Sequence, residues 1–384
     1  MTMLDLTDEQ RQVQDLIRRV ARERVAPRAD EIDRTAEYPQ DMFEVLKELG
    51  IFTLPFPERY GGRDSLVTSC IAVEELNRVC YNTAYLLVVQ WTPFGAIMAG
   101  GTEEQRNRYL PGLASGETRA AFSITEPQSG SDVAGITTRA VRDGSGYRIS
   151  GNKIWCTNAA VSDFIVLAAK TGEARGEINF FILPTDAEGL EIGPKEDKLG
   201  ARGVPSSPLY LSDVFVHEEA RLGAERKGFR QVMEALALSR PIVAARAVGL
   251  AQGALDHTLA FVRERKAFGQ TLTEFQGLRW MLADMQMRIE AARGLVYKAA
   301  AMTDAGVRGR ELAQSAAIAK CYASDVAMKV ATDAVQLFGA SGISNDYPIN
   351  RYFRDAKVVQ VVEGSNQIQR NIIAKNLIDG LNAD

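Results

Sequence analysis

The chain has 384 residues, of which 46% are hydrophobic and 24% charged, and its net charge is −4. That balance supplies a globular chain with ample core material and, by length, two or three domains. Lys and Arg are scattered, which excludes a nucleic-acid or membrane surface, and no apolar run approaches the roughly 20 residues needed to span a bilayer. Four separated cysteines, Cys70, Cys80, Cys156 and Cys321, form no CxxC pair and read as thiols of a reducing compartment. The N-terminus does not read as a signal peptide, so a cytoplasmic chain is expected. Two histidines, His217 and His257, leave little for a His-based metal site or a Ser-His-Asp triad. The chemistry then rests on a carboxylate, an organic cofactor, or both.

Residues 1–117 read as a helical domain. Thr7-x-x-Gln10 is a capping-box pattern ahead of Val13, Leu16, Ile17 and Val20 at helical spacing. Pro39 opens a second helix that Gly50 stops. Residues 83–98 are almost uncharged and suit a buried helix. Thr102-x-x-Gln105 caps another, which Pro111-Gly112 is expected to end. Over 118–226 the pattern changes to short β-rich runs, such as Phe164-Ile165-Val166-Leu167-Ala168, with no room for βαβ units. This predicts a middle β-barrel-like domain. Over 227–384 long helices return, at 231–265, 275–305 and 311–338. Pro241 implies a kink or reset in the first of them. Their length and short connections predict a four-helix bundle closed by the segment after Ser365. The fold class is α+β, read as α, then β, then α.

Five stretches carry chemistry-bearing residues. At Phe122-Ser123-Ile124-Thr125-Glu126-Pro127-Gln128-Ser129-Gly130-Ser131 a strand runs into a loop of hydroxyls and glycine. It is a plain connection or the polar rim of a flat heterocycle's site. No P-loop and no GxGxxG occurs, which disfavours a Rossmann site. Trp155-Cys156-Thr157 is a core strand or a ring-stacking one. Arg263-Glu264-Arg265-Lys266, followed by Phe268, with Gln276 beyond, is a solvated helix end or a diphosphate grip. Gln336-Leu337-Phe338-Gly339-Ala340 is a helix end passing into a Gly turn. Last, Glu363 follows the apolar run Val358, Val359, Val361 and Val362 and precedes Gly364 and Ser365. It is a loop carboxylate, or a desolvated base beside a glycine that admits a ligand, with Ser365 capping the next helix.

Taken together and in this order, these stretches resemble the acyl-CoA dehydrogenase family of flavoproteins. The likeness runs from Pro57-Glu58-Arg59-Tyr60-Gly61-Gly62 to Glu363-Gly364-Ser365-Asn366-Gln367-Ile368-Gln369-Arg370. The resemblance implies FAD between the β domain and the bundle, and α,β-dehydrogenation of an acyl thioester to a trans-2-enoyl thioester. Glu363 takes the place of the catalytic base; Ser239 stands where a few members carry theirs. Phe122, Ile124, Thr125, Gly130 and Ser131 match the flavin loop, Trp155, Cys156 and Thr157 the strand beside the ring. Arg265, Phe268 and Gln276, with Gln336, Leu337, Phe338, Gly339 and Ala340, match residues that hold FAD across a subunit boundary, and Ser365, Asn366 and Gln367 a further FAD contact. Ser131, Arg240 and Gly364 fall at substrate positions. A homotetramer and reoxidation by electron-transfer flavoprotein are implied as well. Ala237, Ser207-Pro208 and the Trp91 ring depart from the common pattern. They leave the carrier (CoA or acyl carrier protein) and the acyl group open. An oxidase or monooxygenase of the same fold, and a non-catalytic helical scaffold, are the competing readings.

Overall fold

The computed structural model describes residues 6–380, apart from the side chains at 230–232, 234–238 and 380, so Ala237 lies outside the described side chains. The N-terminal part consists of α1 (Asp8–Val20), α2 (Ala29–Thr35), α3 (Gln40–Glu48), α4 (Leu66–Asn77), α5 (Tyr81–Gly100) and α6 (Glu103–Ser115). Both predicted capping boxes form, at Thr7 with Gln10 and at Thr102 with Gln105. α6 does not stop at Pro111. It continues to Ser115 and ends at left-handed Gly116, because Leu110, Leu113 and Ala114 bury one face across the proline. Trp91 on α5 donates Nε1 to the Phe52 carbonyl (2.8 Å) and is buried in the N-terminal core.

Eight strands among the described residues make one mixed sheet: β1 (Ala120–Ser123), β2 (Arg139–Asp143), β3 (Gly146–Thr157), β4 (Phe164–Lys170), β5 (Ile178–Pro184), β6 (Leu190–Ile192), β7 (Ser206–His217) and β8 (Arg221–Leu222). The order is β6-β7-β3-β2-β4-β5-β8, and β1 pairs parallel to β4. The continuous apolar run of β4 is explained by burial on both faces. Phe164, Val166 and Ala168 join the core shared with the helices, while Ile165, Leu167 and Ala169 join a second core inside the β domain. The β3–β7 register is broken between Lys153 and Cys156 by a bulge. That bulge lies at the strand end carrying Trp155 and Thr157.

The C-terminal part is led by α7 (Gly228–Glu264), which runs through Pro241 as one helix. After a small hairpin, β9 (Lys266–Ala267) with β10 (Gln270–Thr271), come α8 (Gln276–Asp304) and α9 (Gly309–Phe338). The run containing Val358 to Val361 is helical too: α10 (Ile349–Val361) precedes α11 (Asn366–Gly380). The predicted bundle of three long helices is thus completed by two short ones, not by a single closing segment. α7 is the central element, packed against α4, α5, α8, α9 and α10. Its contact with α4 is close because Gly249 and Gly253, one turn apart, face backbone. A Cβ at either would collide with the Glu74 or Arg78 carbonyl. Asn77 donates to the Arg246 carbonyl across the same seam.

Gly253→Ala is expected to destabilise the fold by about 2 kcal/mol despite alanine's better helix propensity, since the obstruction is backbone rather than a movable side chain. Thermal denaturation, with Gly277→Ala on open surface as control, checks it.

Candidate active site

Glu363 sits in the turn between α10 and α11. The α10 ladder ends at the Val362 N–H to Val358 carbonyl bond (3.1 Å), and the next two residues are both left-handed, Glu363 at φ 56° and Gly364 at φ 91°. Gly is required at the second: a Cβ there would stand 2.6 Å from Gln369 Nε2. At the first, a non-glycine residue is held in a costly conformation. What holds it is α9. Lys320 Nζ donates to the Gly364 carbonyl (2.9 Å) and to Asn366 Oδ1 (3.0 Å), while Gln369 Nε2 also donates to the Gly364 carbonyl (3.0 Å).

The carboxylate desolvation expected from an apolar wall has another source. α10 spreads its valines around a helix, burying Val359 and leaving Val361 58% exposed. Glu363 is covered instead by polar side chains of α7, α9 and α5. The residue is half-buried, yet its Oε2 is closed to solvent and has no hydrogen-bond partner. Burial pushes the carboxyl above the usual carboxylate range. Arg246, Lys320 and Arg240, in that order, and a Ser239 hydrogen bond draw it back. Lys320 is fully buried, and burial brings its ammonium down to about 8 against the pull of Glu363.

The opposite wall is the end of β1 and its loop. Phe122 stacks on Phe180 (5.4 Å between ring centres), and Cys156 Sγ lies against the Phe122 carbonyl (3.8 Å). The Ile154 N–H donates to the Thr125 carbonyl (3.0 Å). Beneath the loop Lys153 pairs with Glu126 (2.8 Å), both fully buried, and reaches the Ile124 carbonyl (3.1 Å). Glu126 also accepts the Thr137 and Thr138 N–H groups (2.6 and 2.9 Å). Burial opposes its ionisation, but Lys153 and these donors hold it at about 2. This pair shapes the segment from Ile124 to Thr138 and was not among the residues singled out by sequence.

The sequence-predicted residues fall into three groups. Glu363, Gly364 and Arg240 converge, and Arg240 is buried with its Nε unpartnered. Ile124 and Thr125 are half-buried on the loop, Gly130 and Ser131 exposed, and Thr157 bonds Ser206 (3.2 Å). Trp155 is 52% exposed and left-handed at φ 60°. Arg265, Phe268, Gln276, Gln336, Gly339 and Ala340 form an exposed group, with Phe268 97% exposed. Three residues are occupied elsewhere. Leu337 is buried, Phe338 stacks on Phe261 (4.1 Å), and Asn366 is buried with its amide committed to Lys320, Ser324, Asp325 and Cys321 on α9. Ser365 accepts the Gln369 N–H with its carbonyl (3.0 Å), the first bond of the α11 ladder. Sequence reasoning missed Lys320, Arg246, Tyr81 and Tyr85. The Trp91 ring, which departs from the common family pattern, is bonded to the Phe52 carbonyl. A surface cleft lined by Tyr109, Arg148 and His217 includes none of the residues around Glu363.

These walls fit a flavin. Trp155 offers an exposed aromatic ring and Gly130 open space on the β-domain side, Thr157 at the same strand end bonds the Tyr85 hydroxyl beside Arg246, and Glu363 Oε2 is left without a partner. Family models for the N-terminal, middle and C-terminal domains of acyl-CoA dehydrogenase match residues 7–117, 121–214 and 226–378. Cyclohexane-1-carbonyl-CoA dehydrogenase of Geobacter metallireducens is 43% identical over 379 residues, covering 98% of this chain and 99% of that one. Butyryl-CoA dehydrogenase from Megasphaera elsdenii superposes with a TM-score of 0.94 at 37% identity, over 98% of this chain and all of that one. The prolyl acyl carrier protein oxidase AnaB superposes at 0.92 with 28% identity, over 97% and 100%. The chain belongs to the acyl-CoA dehydrogenase family. No helix among the described residues is long and apolar enough to cross a membrane.

Two outcomes are expected. Glu126→Gln strands Lys153 as a buried unpaired cation and costs about 3 kcal/mol, and Lys153→Met in the same chain recovers part of it, as read by denaturant unfolding. In the pH profile of flavin bleaching, activity is lost as pH falls through the raised Glu363 value, so the acid limb lies above the ordinary carboxylate range. Lys320→Met removes a cation that favours the ionised base and moves that limb further up.

Proposed function

We propose that the protein is an FAD-dependent acyl-thioester dehydrogenase in which Glu363 is the catalytic base. The observation that carries this reading is the solvent-closed, unpartnered Glu363 Oε2, fixed on a left-handed turn and ringed by Arg246, Lys320 and Arg240. That oxygen has no internal hydrogen bond to give up when substrate arrives, while Ser239 holds the carboxyl group in place. Seating of the acyl chain completes its desolvation and raises its basicity. Glu363 then takes the α proton of the thioester. Bound FAD would supply the acceptor for the β hydrogen and its electron pair, which leaves a 2-enoyl thioester as product. The turn presents the Glu363 N–H beyond the end of the α10 ladder, where the family resemblance assigns it to the thioester carbonyl; a donor there stabilises developing enolate charge. Ile124, Thr125, Trp155 and Thr157 hold the flavin side, and Arg240, Ser131 and Gly364 the substrate side.

The exposed group around Arg265, Phe268 and Gln276 supports a site completed by a second copy. Phe268 (97% exposed), Trp280 (63%) and Met287 (62%) form an apolar surface suited to that contact. A homotetramer and electron-transfer flavoprotein are the partners the resemblance implies. The similarity to AnaB supports a second reading, an acyl carrier protein thioester as substrate.

Glu363→Gln is expected to purify yellow with FAD bound and to lose bleaching by an acyl-CoA substrate by at least about 1,000-fold. Stopped-flow absorbance under anaerobic conditions measures it. Undiminished bleaching in that variant overturns the assignment.

A further inference from the structure

Arg246 is the largest fully buried side chain of the protein, and none of its three guanidinium nitrogens has a hydrogen-bond partner. It lies over two tyrosine rings of α5, its Cζ 4.8 Å from the Tyr81 centroid and 4.1 Å from that of Tyr85. Those rings offset part of the charge, and the Tyr85 hydroxyl approaches the guanidinium and favours its charged form, although no nitrogen has an acceptor in strict hydrogen-bonding geometry. The Tyr81 hydroxyl and Arg240 Nε are likewise buried and unpartnered. Glu363 Oε2 is an unpartnered anionic acceptor in this group. A buried cluster thus holds several free donors and two arginines against one carboxylate. Glu363 is the carboxylate that acts on Arg246, but it is shared with Lys320 and Arg240, which leaves surplus positive charge away from water, a costly state.

Placement says what kind of group would satisfy it. Ser239, which bonds Glu363, and Arg246 are seven residues apart on α7, hence on one face and separated by two turns, about 10 Å. Side chains on a helix lean toward its N-terminus, so the guanidinium reaches back toward Glu363. Tyr81 and Tyr85, one turn apart on α5, close the other side. An acyl chain with its α carbon at Glu363 would direct its far end at Arg246 and the Tyr81 hydroxyl. For a hydrocarbon tail such an end wall is unfavourable, because the tail would bury the donors without pairing them.

We propose that the acyl pocket is built for a thioester whose chain carries a second, terminal carboxylate, with Arg246 as the residue that binds it and the Tyr81 hydroxyl as a further donor. The proposal rests on the dehydrogenase reading above. The carboxylate accepts from the guanidinium, neutralises the surplus positive charge and fixes the chain so that its α carbon faces Glu363. The reaction is unchanged, with the α proton passing to Glu363 and the β hydrogen with its electron pair to FAD.

The test is anaerobic bleaching of the FAD-bound protein by matched CoA thioesters: succinyl against butyryl, glutaryl against pentanoyl, adipyl against hexanoyl. At least one dicarboxylyl ester is expected to exceed its methyl-ended match by roughly 100-fold in the second-order rate. Arg246→Gln is expected to bring that ratio to within about threefold of one, and Arg246→Lys to retain part of it. Equal rates for every pair in the wild-type protein overturn the proposal without any variant having to fold. So does an Arg246→Gln protein that keeps the full ratio, or one that purifies without FAD, which would give the arginine to the cofactor. Loss of bleaching by Glu363→Gln with equal rates across the pairs leaves the dehydrogenase reading standing and this one refuted. No bleaching by any thioester refutes both.

Discussion

A buried ammonium decides where the Glu363 carboxylate stands. Lys320 reaches from the interior of α9 to the Gly364 carbonyl and to Asn366 at the start of α11, so the turn between α10 and α11 is drawn onto a rigid helix. Glu363 has no such anchor of its own. Its backbone is left-handed because the residues after it are pinned, and its side chain points among cations because α7 and α5 bring them there. Lys320 therefore acts on the base twice, as a tether for its backbone and as a charge that favours its ionised form.

The β domain uses the same device with the charges reversed. Glu126, buried under the loop after β1, gathers two backbone N–H groups and the Lys153 ammonium, so that an irregular segment rich in hydroxyls and glycine keeps one shape. Buried ion pairs add little net stability, because desolvation offsets much of the attraction, but they penalise alternatives heavily. Two loops converge on this site, and each is specified by a buried charge on a neighbouring regular element. The α4–α7 seam at Gly249 and Gly253 completes the frame by fixing the helix that carries Ser239, Arg240 and Arg246.

How much of this was legible in the sequence depended on range. The Thr7 and Thr102 caps involve partners three residues away, and they form as read. The α–β–α order follows from changes of period, which are local too. Pro111 misled because its cost is local, whereas the burial of Leu110, Leu113 and Ala114 that overrides it is tertiary. α10 could have been recognised: Tyr352, Asp355, Ala356 and Val359, all buried, follow helical spacing, but the valines beside them read as a plain apolar run. Glu363 stood out only in combination with other stretches. Its cationic surround did not, since an Arg or Lys inside a long helix reads as solvated surface until the fold shows what covers it. Arg246 and Lys320 stand 117 and 43 positions before Glu363 along the chain, yet in space they meet at that carboxylate.

Cys156 has a consequence of another kind. Its thiol is fully buried between β3 and the Phe122 carbonyl, and burial pushes it up to about 12. A thiol in that state presents almost no thiolate to solvent at neutral pH, so peroxide and electrophiles find neither nucleophile nor access. Flavins that meet oxygen generate peroxide in their own neighbourhood. The Cys156 sulfur is accordingly inert, a small, polarizable side chain that fills the space beside the bulge and is spared oxidation.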